Sequence, residues 1–119
     1  MIKYAVVSAC FIVFDVVTGF IKALAQKNVD STILRKGLFH KLSEIAAIAF
    51  SMGCEYALQF INIGFNLPMV IAVCSYIILM ESISILENII SLNPRLGKFL
   101  QKYLKKLKGA QDENDSETD

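Results

Sequence analysis

Apolar residues in this chain gather into three long blocks, residues 4–25, 42–63 and 69–92, while polar residues collect between and after them. Each block reaches the ~20 residues that an α-helix needs to cross the hydrocarbon core of a bilayer. A surface helix of a water-soluble domain carries one polar face, and these blocks carry almost none over long stretches. The pattern predicts an all-α integral membrane protein whose residues 1–92 form a domain of three transmembrane helices. Residues 26–41 are the first connection, where Asp30-Ser31-Thr32 predicts the N-cap of a short amphipathic helix entering the second block. Gly64-Phe65-Asn66-Leu67-Pro68 predicts a tight turn, which makes the second and third blocks an antiparallel hairpin.

Asn93-Pro94 ends the third block, because proline has no N–H to donate and disfavours helix in the residue before it. Proline suits the first position of a new helix. Over residues 94–109, Leu96, Phe99, Leu100, Tyr103, Leu104 and Leu107 recur at steps of three and four. Arg95, Lys98, Lys102, Lys105, Lys106 and Lys108 take most of the remaining circumference. That spacing predicts a basic amphipathic helix on the cytoplasmic side, stopped by Gly109. Residues 110–119 are acidic with little to bury, and a disordered tail is expected there.

Composition sharpens this reading through placement. The chain is 55% hydrophobic and 19% charged, against roughly one half and one quarter in soluble domains. Its net charge of +1 conceals a separation: six basic and no acidic residues lie from Arg95 to Lys108, and five acidic and no basic residues from Asp112 to Asp119. The first connection holds Lys27, Arg35, Lys36 and Lys41 against Asp30, whereas the turn at 64–68 is uncharged. Positive charge marks the cytoplasmic side, so the N-terminus is expected outside and the C-terminus inside a bacterial cytoplasmic membrane. Ala23-Leu24-Ala25 is a weak cleavage signal, and the first block is read as retained. Cys10, Cys54 and Cys74 each sit within a block, without CxxC spacing, and read as small hydrophobes rather than as a disulfide or zinc framework.

Ionisable groups within the blocks are costly in lipid unless paired or hydrated, which makes them the informative positions. Ser8, Asp15, Thr18, Gly19 and Lys22 share one face of the first helix. Glu44, Ser51, Glu55, Gln59 and Asn62 share a face of the second, and Glu81, Ser84, Asn88 and Ser91 a face of the third, with Glu87 close beside them. Such stripes serve either as glue between helices or as the lining of water in an oligomer. For the hydroxyls and glycine we expect glue, and for Glu55 and Glu81 a hydrated or switchable setting. Asp15 has two expected partners, Lys22 two turns on or a lysine of a neighbouring copy. No catalytic constellation is visible. His40 is the sole histidine and reads as an interfacial residue, the carboxylates lie in different blocks, and the glycines are scattered. Neither an enzyme, a cofactor, a metal site nor a nucleic-acid partner is expected. The basic helix predicts contact with anionic lipids at roughly 1 kcal/mol per lysine.

Three stretches, DVVTGFIKAL (residues 15–24), STILRKGLFHKL (31–42) and MESISILENI (80–89), together resemble the toxin-secretion and phage-lysis holin family. Its members include the holin-like protein of clostridial toxin loci. The resemblance covers roughly residues 15–100, in the same order and spacing. It implies a protein that accumulates in the cytoplasmic membrane, forms a homo-oligomer and opens non-specific lesions that release an endolysin or a toxin. By match, Asp15, Thr18, Gly19, Lys22, Gly37, Lys41, Glu81, Ser84, Glu87 and Asn88 carry over. The chain departs from the family pattern after the third block, where the approach to proline is shortened to Ser91-Leu92-Asn93-Pro94, and in its acidic end. Three helices cannot enclose a wide hole alone, so passage of a folded protein requires many copies. The competing expectations are a small ion or solute channel and a membrane scaffold without lytic activity.

Overall fold

The computed structural model describes residues 1–118 as four helices: α1 (Ile2–Ala25), α2 (Ser31–Ala57), α3 (Met69–Leu92) and α4 (Pro94–Thr118). The described residues include no strand. α1 and α3 are long and apolar enough to cross a membrane, and most of each is exposed rather than buried. In α1, Val6, Val7, Val13, Phe14, Val16, Val17, Phe20, Ile21 and Leu24 all face outward. Water-soluble proteins rarely expose contiguous apolar surface on that scale, so the outside of these helices is built for an apolar solvent. α2 falls short of the same measure because His40, Lys41, Glu44 and Glu55 interrupt it.

Local chemistry sets the helix ends. After α1, the Asn28 amide donates to Ala23 O and the Lys27 amide to Leu24 O, with Lys27 in the left-handed conformation (φ 53°). This is a Schellman closure on a lysine rather than the usual glycine. α2 starts where expected: the Asp30 side chain accepts from the Thr32 amide at 2.8 Å. α4 starts at Pro94, and Asn93 Oδ1 accepts from the Leu96 amide at 3.2 Å.

Three boundaries differ from the sequence reading. The expected short amphipathic helix before residue 42 is the first part of α2 itself, unbroken into the second apolar block. That block does not stay helical to residue 63, because α2 ends at Ala57. Asn62 receives the Gly64 amide on its side chain at 3.0 Å, and Gly64 adopts φ +82°. A side chain that captures backbone donors in this way competes with the helix, although its neighbours Phe60, Ile61 and Ile63 are apolar. The connection to α3 is therefore 58–68, longer than the five-residue turn expected. At the other end, Gly109 does not stop α4, which continues through the acidic residues to Thr118; Asp119 lies outside the described residues. An interior glycine costs about 1 kcal/mol relative to alanine, too little to end a helix favoured by lysine, alanine, glutamine and glutamate on either side.

The chain divides into two compact units. The first comprises Met1–Cys10 and Asp30–Ile78. Its core is made of Ser8, Ile48, Ser51, Val70, Cys74 and Ile77, with both serines fully buried. Each hydroxyl finds a carbonyl: Ser8 Oγ donates to Cys74 O at 3.5 Å and Ser51 Oγ to Ile48 O at 2.8 Å. The second unit comprises Phe11–Val29 and the residues from Leu79 onward. Here Ile12, Ile83, Ile85 and Leu104 are buried together with Asp15, Thr18 and Glu81. In each unit the core mixes apolar and polar side chains, while many large apolar side chains face outward.

Candidate functional site

The second unit gathers most residues of two expected stripes, while Ser8 of the first stripe lies in the first unit. Asp15 and Thr18 stand one turn apart on α1, and Asn88 faces them from α3. Asn88 Nδ2 donates to Asp15 Oδ1 and to Thr18 Oγ1, each at 3.1 Å, while Thr18 Oγ1 donates to Asp15 O at 3.1 Å. Asp15 is 8% exposed and Glu81, two turns before Asn88, is 3% exposed. Gly19 lies against this contact, where a Cβ would sit 3.6 Å from Asn88 Nδ2, an ordinary contact distance. Ser84 and Lys22 are half-buried beside the cluster. Further along, Gln26 Nε2 donates to Ser91 Oγ at 2.9 Å. From Asp15 to Gln26 on one side of the contact and from Asn88 to Ser91 on the other, the residue numbers rise together, so α1 and α3 run in the same direction here.

Glu87 points away from this cluster. It is half-exposed and pairs with Lys108 of α4 at 3.1 Å. Exposed ion pairs contribute about 0–1 kcal/mol, so Lys108→Ala is expected to lower stability by less than about 1 kcal/mol in thermal unfolding in detergent micelles. A larger loss would mean that this pair, rather than the apolar contact beside it, holds α4. That apolar contact is Gly97 against Ile90, with Leu104 buried nearby. The cations Arg95, Lys98, Lys102, Lys105, Lys106 and Lys108 are all exposed. So are Leu96, Phe99 and Tyr103 on the adjoining edge. Lys102 Nζ sits 5.1 Å from the centroids of both the Phe99 and Tyr103 rings, a cation–π arrangement.

In the first unit, Glu44 and Ser51 lie on one face of α2, and Glu55 is half-buried further along. Glu44 Oε1 is 3.1 Å from His40 Nε2 and 3.8 Å from Lys41 Nζ. Gln59 and Asn62, expected on the same stripe, fall beyond the end of α2. The structure thus brings Asp15, Thr18, Gly19 and Asn88 together and keeps Glu44, Ser51 and Glu55 in a separate unit. Sequence reasoning missed the His40–Glu44 contact, whose signal was the i, i+4 spacing. It also missed Gly97, whose signal was a glycine on the apolar arc of an amphipathic helix.

This arrangement offers buried polar seams between helices and a basic, aromatic edge on α4. Among the described residues no three His, Cys, Asp or Glu side chains gather to hold a metal ion. A family model described as the bacteriophage holin family matches residues 1–109. No curated protein and no solved structure matches the chain.

Proposed function

Because the chain belongs to the bacteriophage holin family, we propose that it accumulates in the bacterial cytoplasmic membrane, oligomerises, and opens non-specific lesions through which an endolysin or a toxin leaves the cell. The family is not one of enzymes, and the activity expected is mechanical. The observation that carries this reading is the family match over residues 1–109, joined to a fold whose apolar side chains face outward.

Chain direction supports three crossings. α1 and α3 run the same way in the second unit, and both are long and apolar enough to span. Two crossings in one direction require the chain between them to cross back, and α2 is the helix in that stretch. At 27 residues, α2 is about 40 Å long, more than the ~30 Å of hydrocarbon. Counting ~20 residues back from Ala57 places its crossing near residues 38–57. Leu38, Phe39, Ile45 and Phe50, all exposed, then meet lipid, and Lys41 and Glu44 partly offset each other's charge. Arg35 and Lys36 fall at headgroup level, where lysine and arginine stems are at ease. The excess of positive charge there and on α4 puts the C-terminus inside. The edge of α4 formed by Phe99, Tyr103 and Lys102 then rests on anionic lipid. The polar stripes supply the surfaces by which copies associate.

Expression in a bacterium beside an endolysin that lacks its own export signal tests the proposal. A holin arrests growth abruptly and the cells lyse. Depolarisation without protein release would identify a selective channel, and unaffected growth a scaffold; either result removes the lytic reading.

A further inference from the structure

Two polar groups that line one groove of the first unit lack the hydrogen bonds an apolar setting demands. The groove is about 410 Å³ in volume and is walled by Ser43, Glu44 and Ala47 on α2 and by Ala72, Val73 and Tyr76 on α3. The Glu44 side chain is 12% exposed, and neither of its oxygens accepts a hydrogen bond among the described residues. His40 Nε2 at 3.1 Å and Lys41 Nζ at 3.8 Å from Oε1 lie in ion-pair range, and neither makes a hydrogen bond to it. Tyr76 is 47% exposed, and its hydroxyl makes no hydrogen bond among the described residues. One group is an acceptor and the other a donor. They share a groove without meeting.

We propose that this groove seats a second copy of the chain, paired about a two-fold axis along the membrane normal, with the Tyr76 hydroxyl of each copy donating to the Glu44 carboxylate of the other. The inference rests on the reading of the protein as an oligomerising holin, and it names the surface. In a two-fold pair the same patch meets itself, so any donor–acceptor match is made twice. Glu44 and Tyr76 line one groove, and a two-fold axis along the normal keeps each of them at its own depth in the partner copy. Ser43, Ala47 and Ala72 are small and exposed, and small residues let helix backbones approach in a bilayer. A lipid acyl chain would fill the same walls and leave both polar groups unsatisfied, a costly outcome in hydrocarbon.

The test uses the full chain in lipid nanodiscs, in a Cys10→Ser, Cys54→Ser parent. Cys74 is 1% exposed and stays. Ala47→Cys and Ala72→Cys are expected to form covalent dimers on oxidation, and Val16→Cys, on an exposed face of α1, to form none. Tyr76→Phe and Glu44→Leu each remove both cross-bonds and are expected to lower the dimer association constant about tenfold. Glu44→Gln keeps an acceptor and is expected to remain near the parent, a rescue that a merely structural role would not produce. Circular dichroism on every variant separates lost pairing from lost folding. The proposal is overturned if positions 47 and 72 in folded protein give no more dimer than position 16, or if Tyr76→Phe pairs as the parent does. It is equally overturned if the protein is monomeric with a phospholipid that Ala47→Leu displaces. A parent that permeabilises membranes and associates through another face removes this groove and leaves the holin reading intact. A parent that neither associates nor permeabilises removes both.

Discussion

Asn88→Leu is expected to lower the stability of the folded protein by about 2 kcal/mol, and adding Asp15→Leu to restore most of the loss. Asn88 is the single side chain that serves both Asp15 and Thr18 from α3. Hydrogen bonds to charged groups contribute about 1.5–3 kcal/mol in water-soluble proteins, whereas interhelical bonds in bilayers average nearer ~0.6. Truncating Asn88 removes two such bonds and leaves the Asp15 carboxyl, 8% exposed, without a donor it now has. The second term dominates, because a buried acceptor that loses one of its donors keeps the cost of its desolvation. Replacing both groups by leucine removes that cost along with the bonds. Reversible unfolding in mixed detergent micelles provides the measurement for all three variants. An Asn88→Leu protein as stable as the parent, or an Asp15→Leu change that deepens the loss, would show that the cluster is not the seam between α1 and α3.

The seam itself could be read from spacing, and its pairing could not. Asp15, Thr18 and Gly19 fall on one face of α1 because helical periodicity puts them there, and Glu81, Ser84 and Asn88 do the same on α3. Which face meets which depends on the crossing and register of two helices, and a single sequence carries no term for either. α1 and α3 were legible as long apolar runs without proline. The end of α2 was not, since Leu58–Ile63 is as apolar as the residues before it. After Ala57 the Gln59 and Phe60 amides donate to Tyr56 O and Ala57 O in tighter turns, and beyond them the Asn62 side chain accepts from the left-handed Gly64, weak signals inside a strong hydropathy pattern. The extent of α4 was missed for the opposite reason: the acidic residues offer nothing to bury, and composition alone cannot tell a solvated helix from a disordered tail. Glu44 was legible as a charge within an apolar block, but its lack of a hydrogen-bond donor is a fact about neighbours in space. For the same reason Tyr76 passed as one more apolar residue of the third block.

Gly97 and Gly19 make the sharpest contrast between what spacing and packing assign. The family resemblance singles out Gly19 and passes over Gly97, yet the space around them predicts the reverse order of sensitivity. A Cβ on Gly19 would lie 3.6 Å from Asn88 Nδ2, an ordinary contact. A Cβ on Gly97 would lie 2.9 Å from Ile90 Cγ2 and 3.4 Å from Ile90 Cα and Cβ. Isoleucine is branched at Cβ and stiff at χ1, and its Cα belongs to α3, so neither can withdraw and α4 must lift instead. Gly19→Ala is therefore expected to be neutral or stabilising by up to about 1 kcal/mol through helix propensity. Gly97→Ala gains the same propensity and loses about 1–3 kcal/mol to overpacking, and Gly97→Leu, which adds three more carbons at the same point, loses more still. Lifting α4 uncovers Leu104 and separates Lys108 from Glu87, now 3.1 Å apart. Trypsin cleavage after Lys102, Lys105 and Lys106 should then run about tenfold faster in Gly97→Leu, as expected for a helix whose docked population falls by ~1.4 kcal/mol. The Gly19→Ala protein should be cut at the parent's rate. Equal rates in the two variants would mean that α4 is not docked through Gly97, and that its basic, aromatic edge is free to roll against the membrane in any orientation.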